Sequence, residues 1–168
     1  MAYKVAFIGT GARSCAYARP YAKEPEIEIA ALADPSANNR RVMQEKSGVD
    51  SKPAEYDDWR DMLREHADLD GVVISTPNYL HAEPGVACLE RGLAVALEKP
   101  LATTQNDCER ILDAERANGG RTLIGFVLRS TPFYSRIHQL LTSGAIGRVV
   151  SIQADELPSW QVSSIMNR

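Results

Sequence analysis

The chain has 168 residues, of which 44% are hydrophobic and 24% charged, the balance of a soluble globular protein with one domain of ordinary size. Its net charge of −3 leaves no basic excess for a phosphate backbone, so nucleic-acid binding is not expected. The apolar run at residues 5–8 is too short for an export signal, and no later segment approaches a membrane span. The cysteines, Cys15, Cys88 and Cys108, show no metal-binding spacing and fit a reducing cytoplasm.

The first predicted elements are a buried strand at residues 5–8 and a helix that begins near residue 12. Gly9, Thr10 and Gly11 form the turn between them. A strand, a glycine turn and a helix together present backbone N–H groups and a positive helix end to a diphosphate. The same glycines also fit an ordinary tight turn, so both interpretations stay open on this stretch alone.

A second strand is predicted at residues 26–33, and it ends at Asp34, 25 residues after Gly9. A carboxylate at this place accepts hydrogen bonds from the ribose 2′- and 3′-hydroxyls and repels a 2′-phosphate, which favours NAD over NADP. Arg40 and Arg41 follow closely and soften that preference. The alternative is that Asp34 belongs to a turn and caps the next helix.

A buried strand at residues 71–75 runs into a loop that contains Asn78 and His81. Ligands of open α/β sheets bind beyond the carboxyl ends of the strands, where this loop is expected. Asn78 and His81 are three residues apart and would share one side of a helix, although they also fit a helix cap and a surface histidine. Before this strand the pattern predicts a helix at residues 37–46, a loop or short strand at 49–56 and a helix at 57–66.

The next strand, at residues 92–97, ends in Glu98, Lys99 and Pro100. A lysine at a partly desolvated site is a good proton donor and polarises carbonyl groups. The alternative interpretation is an ion pair between Glu98 and Lys99 that closes the strand.

The remaining pattern predicts a helix at residues 103–118, a strand at 121–128 with Arg129 at its end, a helix at 131–143 and a strand at 149–157. Strand and helix alternate up to about residue 125. This alternation predicts an α/β fold, a doubly wound parallel sheet with helices on both faces.

These motifs follow one another as they do in the Gfo/Idh/MocA oxidoreductases, the family of glucose–fructose oxidoreductase and inositol dehydrogenase. The chain resembles the N-terminal part of that family over residues 3–157. The resemblance implies a Rossmann dinucleotide-binding domain at residues 1–125 and the first elements of a second, incomplete α+β domain at 126–168. Besides the glycine turn and Asp34, the resemblance rests on four further motifs: Ser75-Thr76-Pro77-Asn78 with His81, Glu98-Lys99-Pro100, Gly125-Phe126 with Arg129, and residues 144–147.

The resemblance also implies roles for individual residues. Asp34 would hold the adenosine ribose, and Lys99 would be the catalytic residue that contacts both cofactor and substrate. The implied activity is hydride transfer between NAD, or NADP, and the hydroxyl of a sugar or polyol. The implied cofactor-binding residues are Gly9, Thr10, Gly11, Ala12, Arg13, Ser14, Asp34, Ser75, Thr76, Pro77, Asn78, His81, Glu98, Lys99 and Arg129.

The chain departs from the family in two respects. Ser14 stands at the third glycine position, where its hydroxyl can add a phosphate contact. Family members are much longer, and their downstream acid/base histidine has no counterpart here. A non-catalytic dinucleotide-binding regulator and an inactive truncated fragment therefore stay open beside the enzyme. The strand at residues 149–157 would offer an edge for pairing with a second copy of the chain.

Overall fold

The computed structural model describes residues 2–155 and divides them into two compact units, which meet in the chain between Phe126 and Val127. The first unit contains one six-stranded sheet. Its strands are β1 (Tyr3–Ile8), β2 (Ile27–Ala33), β3 (Ala54–Tyr56), β4 (Gly71–Ile74), β5 (Ala94–Leu97) and β6 (Arg121–Ile124).

All neighbouring strands are parallel, in the spatial order β3-β2-β1-β4-β5-β6. The chain builds the sheet outward from β1 to β3 and then returns to place β4 on the other side of β1. This reversal opens a crevice beyond the carboxyl ends of β1 and β4, the usual ligand position in such sheets. The predicted α/β fold with a parallel sheet is confirmed.

Successive residues of β1 point to opposite sides of the sheet, so the strand contributes apolar side chains to both faces. Helices cover each of these faces. Phe7 packs in one apolar cluster with Cys15 and Met43, whereas Ile8 packs in the other with Met62 and buried residues farther along the chain. The helices of this unit are α1 (Ala12–Tyr21), α2 (Ala37–Ser47), α3 (Trp59–Glu65), α4 (Ala82–Glu90) and α5 (Gln105–Ala117).

Local signals fix the ends of two of these helices. Ser36 accepts a hydrogen bond from the backbone N–H of Asn39 and caps α2, which ends at Gly48 in the left-handed conformation. Thr104 accepts one from the N–H of Asp107 and caps α5. These caps position the helices that follow β2 and β5.

The sixth strand is shorter than expected. The sequence predicts a strand at residues 121–128, but β6 ends at Ile124, and a 3₁₀ turn follows at Val127–Ser130. The reason is the length of its one neighbour: Ile124 pairs with Leu97, the last residue of β5, so the ladder has no further partner. Arg129 therefore lies in a turn of the second unit and not at a strand end.

The second unit contains α6 (Pro132–Thr142) after this turn. The strand predicted at residues 149–157 is wrong for its described part, because residues 149–155 form no strand. An extended segment becomes a strand only when a neighbour accepts its hydrogen bonds, and no strand within residues 2–155 pairs with this segment. Residues 156 and 157 lie outside the described part. Within residues 2–155, no helix has the length and apolar character needed to span a bilayer.

Candidate functional site

The glycine turn lies at the carboxyl end of β1, against the residues that follow β4. Gly9 has a φ of +81°, and a Cβ atom on it would lie 2.8 Å from the backbone nitrogen of Thr76. Gly11 begins α1 without a side-chain cap, and a Cβ there would meet nothing within 4 Å. The first turn of α1, which starts with the exposed Ala12, therefore presents its N–H groups to open space, as anion binding requires.

Two serine hydroxyls hydrogen-bond to the backbone of this turn. Ser14 is fully buried, and its hydroxyl bonds to the carbonyl oxygen of Gly9 and to the hydroxyl of Ser75. Ser75 also donates to the Gly9 carbonyl at 3.3 Å. The expected phosphate contact of the Ser14 hydroxyl does not fit this arrangement, because that hydroxyl is already held inside the turn.

Asp34 joins the end of β2 to the glycine turn. Its Oδ2 accepts a hydrogen bond from the Thr10 N–H at 2.8 Å, and its Oδ1 accepts one from the Ser36 N–H at 2.9 Å. The second bond forms the turn of the alternative interpretation, while the ribose contact of Asp34 stays a prediction. Asn39 adds a long contact to Oδ1 at 3.4 Å, which leaves Oδ2 with the spare capacity for a ribose hydroxyl.

Asp34 lines a cleft of about 610 Å³, a size typical of small-molecule sites. The cleft extends from Gly9 to the aromatic rings of Trp59 and Tyr79. Its other acidic lining residues are Asp57, Asp58 and Glu83.

Neither arginine after β2 is placed to receive a 2′-phosphate. Arg40 is 7% exposed, and its guanidinium pairs with Glu55 at 2.8 Å and with Asp57 at 2.7 Å. The hydrogen bond from Arg40 lowers the pKa of the Glu55 carboxyl. Arg41 pairs with Glu45 at 2.6 Å on the exposed side of α2. The expectation that these arginines soften a preference for NAD finds no support in their contacts.

Two buried hydroxyls at this edge have no hydrogen-bond partner within the described residues. They are Thr10 Oγ1 in the glycine turn and Thr76 Oγ1 after β4; a third, Thr122 Oγ1, lies within β6. Buried polar atoms in native proteins are nearly always satisfied, so each such atom calls for an explanation. The hydroxyls of Thr10 and Thr76, next to the uncapped start of α1, fit a polar ligand in the crevice. The residues present therefore suit a dinucleotide.

Glu98 follows β5 and is 7% exposed. Its Oε1 pairs with Nε of Arg13 at 2.5 Å and accepts a hydrogen bond from the Tyr17 hydroxyl at 2.7 Å. Its Oε2 accepts the backbone N–H of Lys99 at 2.6 Å. Sequence reasoning missed Tyr17, although Arg13 and Tyr17 are four residues apart and share one face of α1.

The Lys99 side chain is exposed at the end of β5, before a cis peptide bond to Pro100. The Glu98–Lys99 ion pair of the alternative interpretation is not present among the described residues, because the Glu98 carboxylate pairs with Arg13 instead. The Lys99 amine is therefore available at the sheet edge.

His81 is fully buried and does not reach the crevice surface. Its Nδ1 lies 2.7 Å from the carbonyl oxygen of Pro100, and its Nε2 lies 3.0 Å from that of Thr76. Asn78 and Pro77 are exposed, so Asn78 and His81 do not share a side as expected. His81 therefore braces the loops after β4 and β5, and any influence on a ligand is indirect.

The contacts above connect the carboxyl ends of four strands. Arg129 belongs to the second unit, and its cofactor role stays a prediction. Within residues 2–155, no group of three or more histidine, cysteine or acidic side chains is arranged to hold a metal ion.

Residues 3–126 match the model of a family described as an oxidoreductase family with an NAD-binding Rossmann fold. This match defines the first unit as an NAD-binding Rossmann domain. The chain belongs to the Gfo/Idh/MocA family, and NAD is the cofactor of the matched domain.

Individual relatives are similar over most of this chain but are about twice as long. Inositol 2-dehydrogenase of Salmonella typhimurium is 31% identical over 154 residues, which are 90% of this chain and 45% of the relative. Levoglucosan dehydrogenase of Pseudarthrobacter phenanthrenivorans is 35% identical over 103 residues, 61% of this chain and 26% of that protein.

A solved structure of scyllo-inositol dehydrogenase from Lactobacillus casei, with bound NAD(H) and scyllo-inositol, has the same fold. Its TM-score is 0.82 at 23% identity, and the match covers 99% of this chain and 49% of that one. The chain thus spans about half the length of the proteins it resembles.

Proposed function

We propose that the chain is the cofactor-binding part of an NAD-dependent oxidoreductase that moves a hydride between nicotinamide and the carbon that bears a hydroxyl of a sugar or polyol. The observation that carries the proposal is the exposed Lys99 side chain at the sheet edge that also carries the glycine turn, with its backbone held by buried Glu98. The relatives named as inositol and levoglucosan dehydrogenases support the substrate class.

The bound cofactor supplies the hydride acceptor or donor. The N–H groups at the start of α1 bind the diphosphate, and Oδ2 of Asp34 accepts a hydrogen bond from the adenosine ribose. In the direction of reduction, the Lys99 ammonium donates its proton to the oxygen that becomes the substrate hydroxyl, and oxidation reverses that transfer.

The same contacts support NAD over NADP. A 2′-phosphate would face the Asp34 carboxylate and the acidic lining of the cleft, including Asp57 and Glu83. Arg40, the nearest buried cation, is neutralised by Glu55 and Asp57. Arg60 also lines the cleft, but it pairs with Asp58 at 3.5 Å and with Glu83 at 4.0 Å. The charges around the cleft are therefore mainly negative, and their repulsion disfavours NADP.

A cytoplasmic location is also part of the proposal. All three cysteines are free thiols, and Cys15 and Cys88 are buried. Buried free thiols are typical of proteins in reducing compartments. The expected homo-oligomer stays a prediction, because the strand that was to form its edge is absent from the described residues.

The test replaces Lys99 with methionine in the full chain and measures NADH affinity and hydride transfer with a panel of inositols and sugars. We expect Lys99→Met to lower kcat by about 100-fold, the typical contribution of a positioned proton donor. The dissociation constant for NADH should change by less than about threefold, because the amine serves the reacting centre. The matched control is Lys52→Met, which removes an exposed lysine from the segment before β3.

Near-normal turnover in the Lys99→Met variant would contradict the assigned role. If wild-type protein binds NADH but turns over no member of the panel, the non-catalytic dinucleotide-binding regulator or the inactive truncated fragment becomes the better description. The intact mass of the purified protein, compared with the encoded length, separates these two.

A further inference from the structure

The carboxylate of Glu98 is enclosed by three donors from two elements. Arg13 and Tyr17 approach Oε1 from α1, and the N–H of Lys99 approaches Oε2 from the end of β5. The same side chain thus contacts the helix that starts at the glycine turn and the backbone of the exposed lysine. A buried carboxylate costs free energy unless its lone pairs are filled, so these contacts define its position closely.

The Tyr17 hydroxyl acts as a fixed donor in this arrangement. The pKa of Tyr17 is raised to about 12, mainly by burial and secondly by the hydrogen bond to Glu98. The hydroxyl therefore keeps its proton throughout the physiological range and does not supply it to a reaction.

Gly125 gives a second, independent observation on the hydrogen bond between Tyr17 and Glu98, because it lies directly against both side chains. A Cβ atom on Gly125 would lie 2.8 Å from the Tyr17 hydroxyl oxygen and 3.3 Å from the Glu98 carboxylate. The N–H of Gly125 also donates to the carbonyl of Leu97 at 2.8 Å. The chain just after β6 thus passes so close to the Tyr17–Glu98 pair that a side chain at Gly125 would require the Tyr17 hydroxyl to shift.

We propose that Tyr17 and Arg13 are positioning residues, which act through Glu98 to fix the backbone of Lys99 and so direct its amine towards the reacting hydroxyl. The inference rests on the proposed function. An arginine carries five N–H donors, so the ion pair through Nε leaves other donors of Arg13 for a diphosphate at the same helix end. Cofactor binding and lysine placement are thereby linked through one carboxylate.

The test is Tyr17→Phe, which removes the donor and keeps the ring. Exchange of the Lys99 amide hydrogen, followed by NMR without cofactor, reports directly on the bond to Glu98. We expect this exchange to accelerate about tenfold, the factor that corresponds to the loss of one hydrogen bond to a charged group. In turnover, kcat should fall by a similar factor while the NADH dissociation constant changes by less than about threefold.

The matched control is Tyr21→Phe. Tyr21 lies on the same helix and lines the same small cavity as Glu98, but its ring packs edge-on against Phe7 at 5.8 Å, and its hydroxyl makes no hydrogen bond to Glu98 among the described residues. It should match wild-type protein in Lys99 exchange and in kcat. Tyr17→Phe added to Glu98→Ala should have no further effect on Lys99 exchange, because Glu98→Ala already removes the acceptor oxygens through which Tyr17 acts.

The inference is overturned if Tyr17→Phe and Tyr21→Phe give the same Lys99 exchange and the same kcat. Gly125→Ala supplies a second variant, expected to accelerate Lys99 exchange by displacing the pair, should Tyr17→Phe fold poorly. Binding of NADH without turnover in wild-type protein would defeat the proposed reaction, whereas unchanged Lys99 exchange in both variants would defeat the positioning role alone.

Discussion

In the proposed site, the Asp34 carboxylate both holds the local backbone and faces the cofactor. Its two oxygens hold the N–H groups of Thr10 and Ser36, and its buried position places it in the wall of the cleft. The negative charge therefore acts on whatever occupies the ribose position.

Replacing Asp34 with asparagine keeps an acceptor and removes the charge. We expect NADH affinity to fall about tenfold, because a hydrogen bond to a charged acceptor becomes one to a neutral acceptor. NADPH affinity should fall less than NADH affinity or should rise, because the repulsion of the 2′-phosphate is relieved. The ratio of NADH affinity to NADPH affinity should therefore decrease. Calorimetric titration with both cofactors measures this, and Asp50→Asn, on the exposed loop after α2, is the control. An unchanged ratio of affinities would exclude Asp34 as the selective group.

The side chains at this edge also mark what a sequence can predict about a site. Gly9 and Asp34 could be placed because their spacing reflects a local strand–turn–helix unit. The burial of His81 and the contact of Tyr17 with Glu98 could not, because they depend on how separate strands and helices pack. Those contacts join residues far apart in the chain, which periodicity does not describe.

At the level of elements, the junction between β1 and α1 carries the closest approach in the site. Gly9 combines a positive φ with a potential Cβ contact of 2.8 Å to the backbone beyond β4. Gly48, at the end of α2, has a similar φ of +69°, but a Cβ there would meet nothing within 4 Å. Substitutions at these two glycines therefore distinguish the cost of a left-handed backbone, which both share, from the cost of a steric contact, which only Gly9 has.

We therefore expect Gly9→Ala to destabilise the protein by about 1–3 kcal/mol more than Gly48→Ala, the cost typical of overpacking. Both variants share the penalty of about 1–2 kcal/mol for a left-handed residue with a side chain. Urea denaturation gives both free energies of unfolding. If the two variants lose the same free energy of unfolding, the glycine turn must relax away from the loop after β4 and avoid the contact.

The elements themselves were largely predictable where local signals set them. The caps at Ser36 and Thr104 and the glycine at the end of α2 lie where such residues are favoured. The two errors, at the end of β6 and at residues 149–155, concern strands whose existence depends on a neighbour. An alternating or apolar pattern shows which residues can form a strand but not whether a partner is present.

At the scale of the whole molecule, the parallel sheet brings distant motifs to one edge. Because all six strands run in the same direction, the turn after β1, Asp34, the loop after β4 and Lys99 share that edge. A dinucleotide lying across the switch between β1 and β4 would touch each of them. We propose that this edge binds NADH and presents Lys99 to the reacting hydroxyl.

The most direct test of that claim is amide hydrogen exchange of the full chain, with and without saturating NADH. We expect slower exchange in residues 9–14, 75–81 and 98–99, and little change in α5, which contributes no residue to the cleft. Binding without protection of residues 9–14 and 98–99, or protection centred elsewhere on the molecule, would contradict it.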